Sequence, residues 1–149
     1  MTIRSLATRI TLLALMLVSP VLMAQERSFI GRSSAEDNSG PPFSTAVMAD
    51  NTLYISGSLG LENGQVPEDP AVEAHNLLSG FVATLAEADM TMDDLVYVTI
   101  YCSDLSLYDQ FNEIYRTYFT QEFPARAFIG TSVLLRGARF EMQAIDVKD

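Results

Sequence analysis

The stretch that decides the fold is Asp69–Ala88, "DPAVEAHNLLSGFVATLAEA". Asp69 offers a side-chain oxygen at a helix N-cap, and Pro70 fits the first helical position, where its missing N–H is no loss. Val72, Leu78, Phe81, Val82 and Leu85 then recur at helical spacing. The pattern predicts a helix running to about Ala88 with one apolar face. His75 falls off that stripe and reads as a surface residue. After the polar "DMTMDD" comes "LVYVTIYC", Leu95–Cys102, apolar and β-branched enough for a central strand.

Working outward, "FSTAVMA" and "TLYISGSL" read as two strands around a turn at Asp50–Asn51, and "ENGQ" supplies a further turn. On the C-terminal side Ser106 can cap a second helix, with Leu107, Phe111, Ile114, Tyr115 and Tyr118 as its apolar stripe. "ARAFIGTSVL" and "ARFEMQAIDV" are then expected as two strands of a hairpin turning at Arg136–Gly137. The order is ββαβαββ over residues 43–149, one α+β domain built as a two-layer sandwich with both helices on one face of a mixed sheet. The opposite face is left bare and apolar, which predicts a homo-oligomer. Gln25–Pro42, "QERSFIGRSSAEDNSGPP", is polar and reads as an extended arm rather than a regular element.

Residues 1–24 have the form of a secretory signal peptide: Arg4 and Arg9, a Leu-rich run, then Ala24 at the cut. The apolar run is about 15 residues with Pro20 inside it, short of the roughly 20 that a spanning helix needs. The expected location is therefore periplasmic or secreted, without a membrane association once the leader is removed; the alternative is an uncleaved anchor. The chain holds 9 basic and 19 acidic residues. Without Arg4 and Arg9 the balance is 7 − 19 = −12. Such a surface repels phosphate backbones, so nucleic acid is not an expected partner. Cys102 is the only cysteine and lies in an apolar strand pattern, so no intrachain disulfide forms and a buried thiol is expected.

Familiar catalytic sets are missing. One His and one Cys do not make a zinc site or a Cys–His pair, and no glycine-rich phosphate loop opens a helix. What remains is Arg126, set just after a proline in "FPARAFIG", and Glu141 in "FEMQA". Two charges in mid-strand on the arms of a hairpin can form a cross-strand ion pair. Alternatively, Arg126 grips a substrate carboxylate bidentately while Glu141 handles a water or proton.

The segments "PPFSTAV", "LYISGSLGL", "FNEIYRTYF", "FPARAFI" and "LLRGARFEMQAIDV" resemble, in order, the motifs of the RidA/YjgF family of enamine/imine deaminases, from about Pro41 to Val147. The resemblance implies a chorismate-mutase-like fold and a homotrimer with sites in the clefts between subunits. It also implies cofactor-free and metal-free hydrolysis of intermediates such as 2-aminoacrylate and 2-iminobutyrate to 2-keto acids and ammonia. By resemblance, Arg126 holds the substrate carboxylate and Glu141 orients the attacking water. Asn112 and Gly57 match family residues near the ligand. The family's tyrosine is replaced by Phe43, a glutamine by Ser58, a serine by Ala127 and a cysteine by Phe128, each change making the pocket less polar. The same cleft would also suit a non-catalytic binder of small carboxylates or a holdase-like protein. An RNA-cleaving activity sometimes attached to this family conflicts with the acidic charge.

Overall fold

In the computed structural model of the chain, which describes residues 26–31 and 40–148, Pro70–Ala86 forms helix α1. Asp69 caps it as expected, its carboxylate accepting the Ala71 N–H at 2.8 Å. The buried face of α1 is Ala74, Leu77, Leu78, Phe81 and Leu85, with Glu73 and Thr84 beside it. Val72 and Val82, expected on that face, are exposed instead. Their positions point around the helix from the Ala74–Leu78–Phe81–Leu85 row, and burial of the smaller Ala74 sets the true centre of the stripe.

Six strands build the sheet: β1 (Arg27–Ile30), β2 (Ala46–Ala49), β3 (Thr52–Leu59), β4 (Leu95–Cys102), β5 (Ala125–Gly130) and β6 (Phe140–Val147). Helix α2 (Tyr108–Arg116) connects β4 to β5. The sheet order is β1-β2-β3-β6-β4-β5, with β4 and β5 parallel and every other pair antiparallel. The architecture is thus two helices on a mixed six-stranded sheet. β1 lies within the segment expected to be irregular. Ile30 faces Ala46 and Arg27 faces Ala49, so the arm contributes an edge strand. Residues 1–25 and 32–39, which carry the expected leader and the rest of the arm, lie outside the described residues.

The turns at Asp50 (φ 55°) and at Asn63–Gly64 (φ 51° and 79°) stand where expected. Arg136 (φ 59°) and Gly137 (φ 74°) also form a turn, but not a hairpin. Between β5 and β6 the chain crosses the end of β4, where Thr131 donates to the Cys102 carbonyl and Ser103 donates to that of Arg139. β4 therefore separates β5 from β6. A second correction concerns α2. Ser106 does not cap it; its backbone N–H and its hydroxyl both donate to the Asp104 carboxylate, at 2.9 and 2.6 Å, in a 3-10 turn (Leu105–Leu107) ahead of the helix. Those bonds, the hydroxyl's first, hold the Asp104 carboxyl below its usual range.

The core lies between the helices and one face of the sheet. Leu53, Ile55, Val98, Ile100, Phe140 and Met142 meet the α1 face and the Phe111 and Tyr115 rings of α2. Cys102 is fully buried there, its Sγ donating to the Asp104 carbonyl, and burial pushes its thiol pKa up. Glu73 ties α1 to the start of β6. Its buried carboxylate accepts the backbone N–H groups of Arg139 (2.7 Å) and Phe140 (3.1 Å) and pairs with Arg139 Nε at 2.7 Å. The opposite sheet face presents Tyr54 and Tyr97, both exposed, around a depression of about 280 Å³ that Thr99, Gln143 and Ile145 also line. Among the described residues, no helix is long and apolar enough to cross a membrane.

Candidate active site

Successive strand residues point to opposite faces, and this rule places each charged residue. Phe140, Met142 and Ala144 face the core, so Glu141 between them faces the open side. On β5, Phe128 packs on the core, and Arg126, two residues earlier, shares its face. Arg126 and Glu141 thus stand on opposite faces of the sheet, with β4 between their strands. The cross-strand ion pair considered from sequence does not form, and Arg126 has no salt bridge among the described residues.

Arg126 is instead held by α2. One terminal nitrogen donates to Asn112 Oδ1 at 2.7 Å, and Cζ lies 4.8 Å from the centroid of the Tyr115 ring and 5.6 Å from that of Phe128. Contact with two aromatic rings and the Asn112 bond hold the guanidinium in place, which offsets the rotamer freedom of a long side chain. Phe128 is anchored edge-on against Tyr108 (4.9 Å) and Phe111 (5.7 Å), so it underlies the arginine rather than lining the cavity beyond it. That cavity, about 160 Å³, is lined by Asn112, Tyr115, Arg116, Phe123, Pro124 and Arg126.

Tyr115 is buried, and its hydroxyl has no hydrogen-bond partner among the described residues. Burial pushes its pKa up to about 12, against a smaller opposing pull from the Arg126 charge, so it remains a neutral phenol. Sequence reasoning placed Tyr115 in the core stripe and passed over Arg116 and Phe123. The available signal was the spacing from Asn112: residues three and four further along a helix share its face.

Glu141 has a different neighbour. A Cβ on Gly57 would fall onto the Glu141 carboxylate, so the absence of a side chain there makes room for that group. A register shift between Ile55 and Ser58 brings β3 to this position. The structure therefore gathers Arg126, Asn112 and Phe128 on the helix side, and Glu141 with Gly57 on the open side. Phe43, exposed ahead of β2, directly precedes Ser44, whose carbonyl accepts the Ser56 hydroxyl at 2.8 Å beside Gly57, so it adjoins the Gly57 side. Among the described residues no cluster of His, Cys, Asp and Glu could hold a metal ion.

Residues 35–148 match the family model described as Endoribonuclease L-PSP. The chain is 39% identical over 110 residues to mouse 2-iminobutanoate/2-iminopropanoate deaminase, covering 72% of this chain and 82% of that protein. Its bovine counterpart of the same name is 37% identical, covering 72% and 80%. Among solved structures, the Escherichia coli YjgF gene product superposes with a TM-score of 0.69 at 28% identity, over 72% of this chain and 89% of the other. RidA from an Antarctic Psychrobacter species gives the same four values. With the fold, the family model and the relatives in agreement, this chain is a member of the RidA/YjgF family.

Proposed function

We propose that this protein is an exported, cofactor-free deaminase that hydrolyses small 2-imino acids, and the enamines that tautomerise to them, to 2-keto acids and ammonia. The single observation that carries the proposal is Arg126: a guanidinium tied to Asn112, stacked on Tyr115, without a carboxylate partner among the described residues, at a cavity. A planar fork so held suits a carboxylate. The names of the mouse and bovine relatives support the same chemistry.

The chemistry asks little of the protein beyond orientation. A protonated imine carbon is already electrophilic; water adds to it, the carbinolamine loses ammonia, and the C=O bond forms. Arg126 fixes the substrate by its carboxylate, which contributes through positioning. Glu141 orients the water, takes its proton as the C–O bond forms, and returns it to the amine nitrogen as the C–N bond breaks. Because the two groups lie on opposite faces, we infer that the working site combines Arg126 of one copy with Glu141 of another. The exposed apolar sheet face around Tyr54 and Tyr97 supports assembly, and a homotrimer is the form we propose. The acidic balance of the chain speaks against nucleic acid as a substrate.

A second reading has one observation in its favour. A lone chain offers the carboxylate clamp without Glu141, which suits a non-catalytic binder. Ammonia release from freshly generated 2-iminobutyrate separates the two. The deaminase reading expects wild-type turnover, with keto-acid binding lost in Arg126→Lys and turnover but not binding lost in Glu141→Gln. Absence of turnover in the assembled wild-type protein would leave only the binder.

A further inference from the structure

Two guanidiniums, not one, line the 160 Å³ cavity, and neither has an ion-pair partner among the described residues. In a chain with 19 acidic residues against 9 basic ones, two adjacent cations make this cavity a locally positive place on an acidic molecule. Arg116 lies over the Phe123 ring, its Cζ 5.6 Å from the centroid, as Arg126 lies over Tyr115. Those two rings are stacked with an interplanar angle of 27° and centroids 6.3 Å apart, so each cation lies over one ring of an aromatic pair. Arg116 is also four residues beyond Asn112 on α2, and Asn112 holds Arg126. Residues at that spacing are neighbours on one helix face, about 5–6 Å apart at Cβ.

We propose that the cavity selects substrates with two acidic groups: Arg126 takes the carboxylate beside the imine, and Arg116 takes a second carboxylate at the far end of a short side chain. The favoured substrates are then 2-imino dicarboxylic acids. This rests on the deaminase reading for the reaction, though not for the binding. The Tyr115 and Phe123 rings that line the same cavity suit the short methylene chain linking the two carboxylates, and the neutral Tyr115 phenol adds no repelling charge. Arg116 is exposed, so its attraction for the second carboxylate weakens as salt rises.

Calorimetric titration of the assembled protein with 2-oxoglutarate and with 2-oxobutyrate at low ionic strength tests the selection directly. Wild-type protein is expected to bind the diacid at least fivefold more tightly. In Arg116→Gln that ratio should fall by about fivefold, the scale of an exposed ion pair. Arg116→Lys should recover much of it, and Arg136→Gln, remote from the cavity, should leave it intact. Equal wild-type affinities, or an unchanged ratio in Arg116→Gln, would overturn the proposal. An arginine that merely complements the end of α2 would lower the melting temperature on substitution and leave the ratio alone. Turnover of the two classes of imine is read in parallel. Diacid-selective binding without any turnover would sink the deaminase reading and keep this inference; turnover without diacid preference would do the reverse.

Discussion

Asp146 carries the least comfortable charge in the core. It sits near the end of β6, opposite Leu53 of β3 and Leu95 of β4, fully buried, and its carboxylate has only a weak approach from the Val147 N–H, short of a well-formed hydrogen bond. Burial, with Asp94 adding to it, pushes its pKa up to about 6 from an ordinary value of 3.8. A carboxyl with a raised folded pKa holds its proton longer in the folded state than in the unfolded one. Stability is thus unaffected below the unfolded pKa, falls as pH climbs through the window between the two values, and stays reduced above it. Asp146→Asn should raise stability at pH 7 by about 1–3 kcal/mol, the scale of a shift of this size less the cost of a buried amide. Thermal unfolding at pH 7 and pH 3.5 checks this: the gain should appear only at the higher pH. An equal gain at both would mean that packing, not charge, is responsible. From sequence, the alternation of Phe140, Met142 and Ala144 carries Asp146 onto the core face, a signal that its charge obscures. By contrast, Arg126 was legible as a candidate clamp because it directly follows "PA" at the head of an apolar strand.

At the scale of elements, α1 is the best-specified piece of the chain. The Asp69 cap should be worth about 1 kcal/mol, so Asp69→Ala is expected to lower the melting temperature by several degrees while leaving oligomeric state unchanged. No loss of stability would show that the Pro70 start alone suffices. The ends of α1, the Asp50 and Asn63–Gly64 turns and the strands from β2 to β6 follow from capping and periodicity that act within a few residues. The errors arose where a longer-range partner decides. Ser106 looked like a cap, but Asp104 claimed both its donors. Glu73, in the first turn of α1, is drawn inside by Arg139 and Phe140 across more than sixty positions of sequence, which no local pattern shows. β1 was hidden because its strand character depends on β2 lying beside it, not on its own composition.

For the whole molecule, the decisive fact is that β6 enters the sheet between β3 and β4. Local pattern cannot reveal this, because adjacent strands in sequence need only a turn to pair and the turn at Arg136–Gly137 was present. That insertion separates Arg126 from Glu141, so on the proposed deaminase reading the number of chains becomes a catalytic matter. Co-refolding equal amounts of Arg126→Lys and Glu141→Gln should therefore restore turnover. If one copy supplies the arginine and the next the glutamate, about a quarter of the sites in randomly mixed rings regain both native groups. Each variant alone should remain inactive. Mixtures no better than either parent would contradict a site shared between copies. Light scattering is expected to give a trimer, and the N-terminus of the exported protein should lie at or near Gln25.

The single cysteine, fully buried at the end of β4, equips the molecule with a clock. A thiol reagent can reach Cys102 only when the β4 end and the Asp104 turn come apart, and one reactive sulfur per chain makes the chemistry unambiguous. Labelling rates then count opening events under native conditions, without denaturant. Because a ligand that binds only the closed form suppresses opening in proportion to its saturation, the same clock should slow in the presence of a keto acid. The slowing would measure occupancy of the cavity even in variants that have lost every trace of turnover.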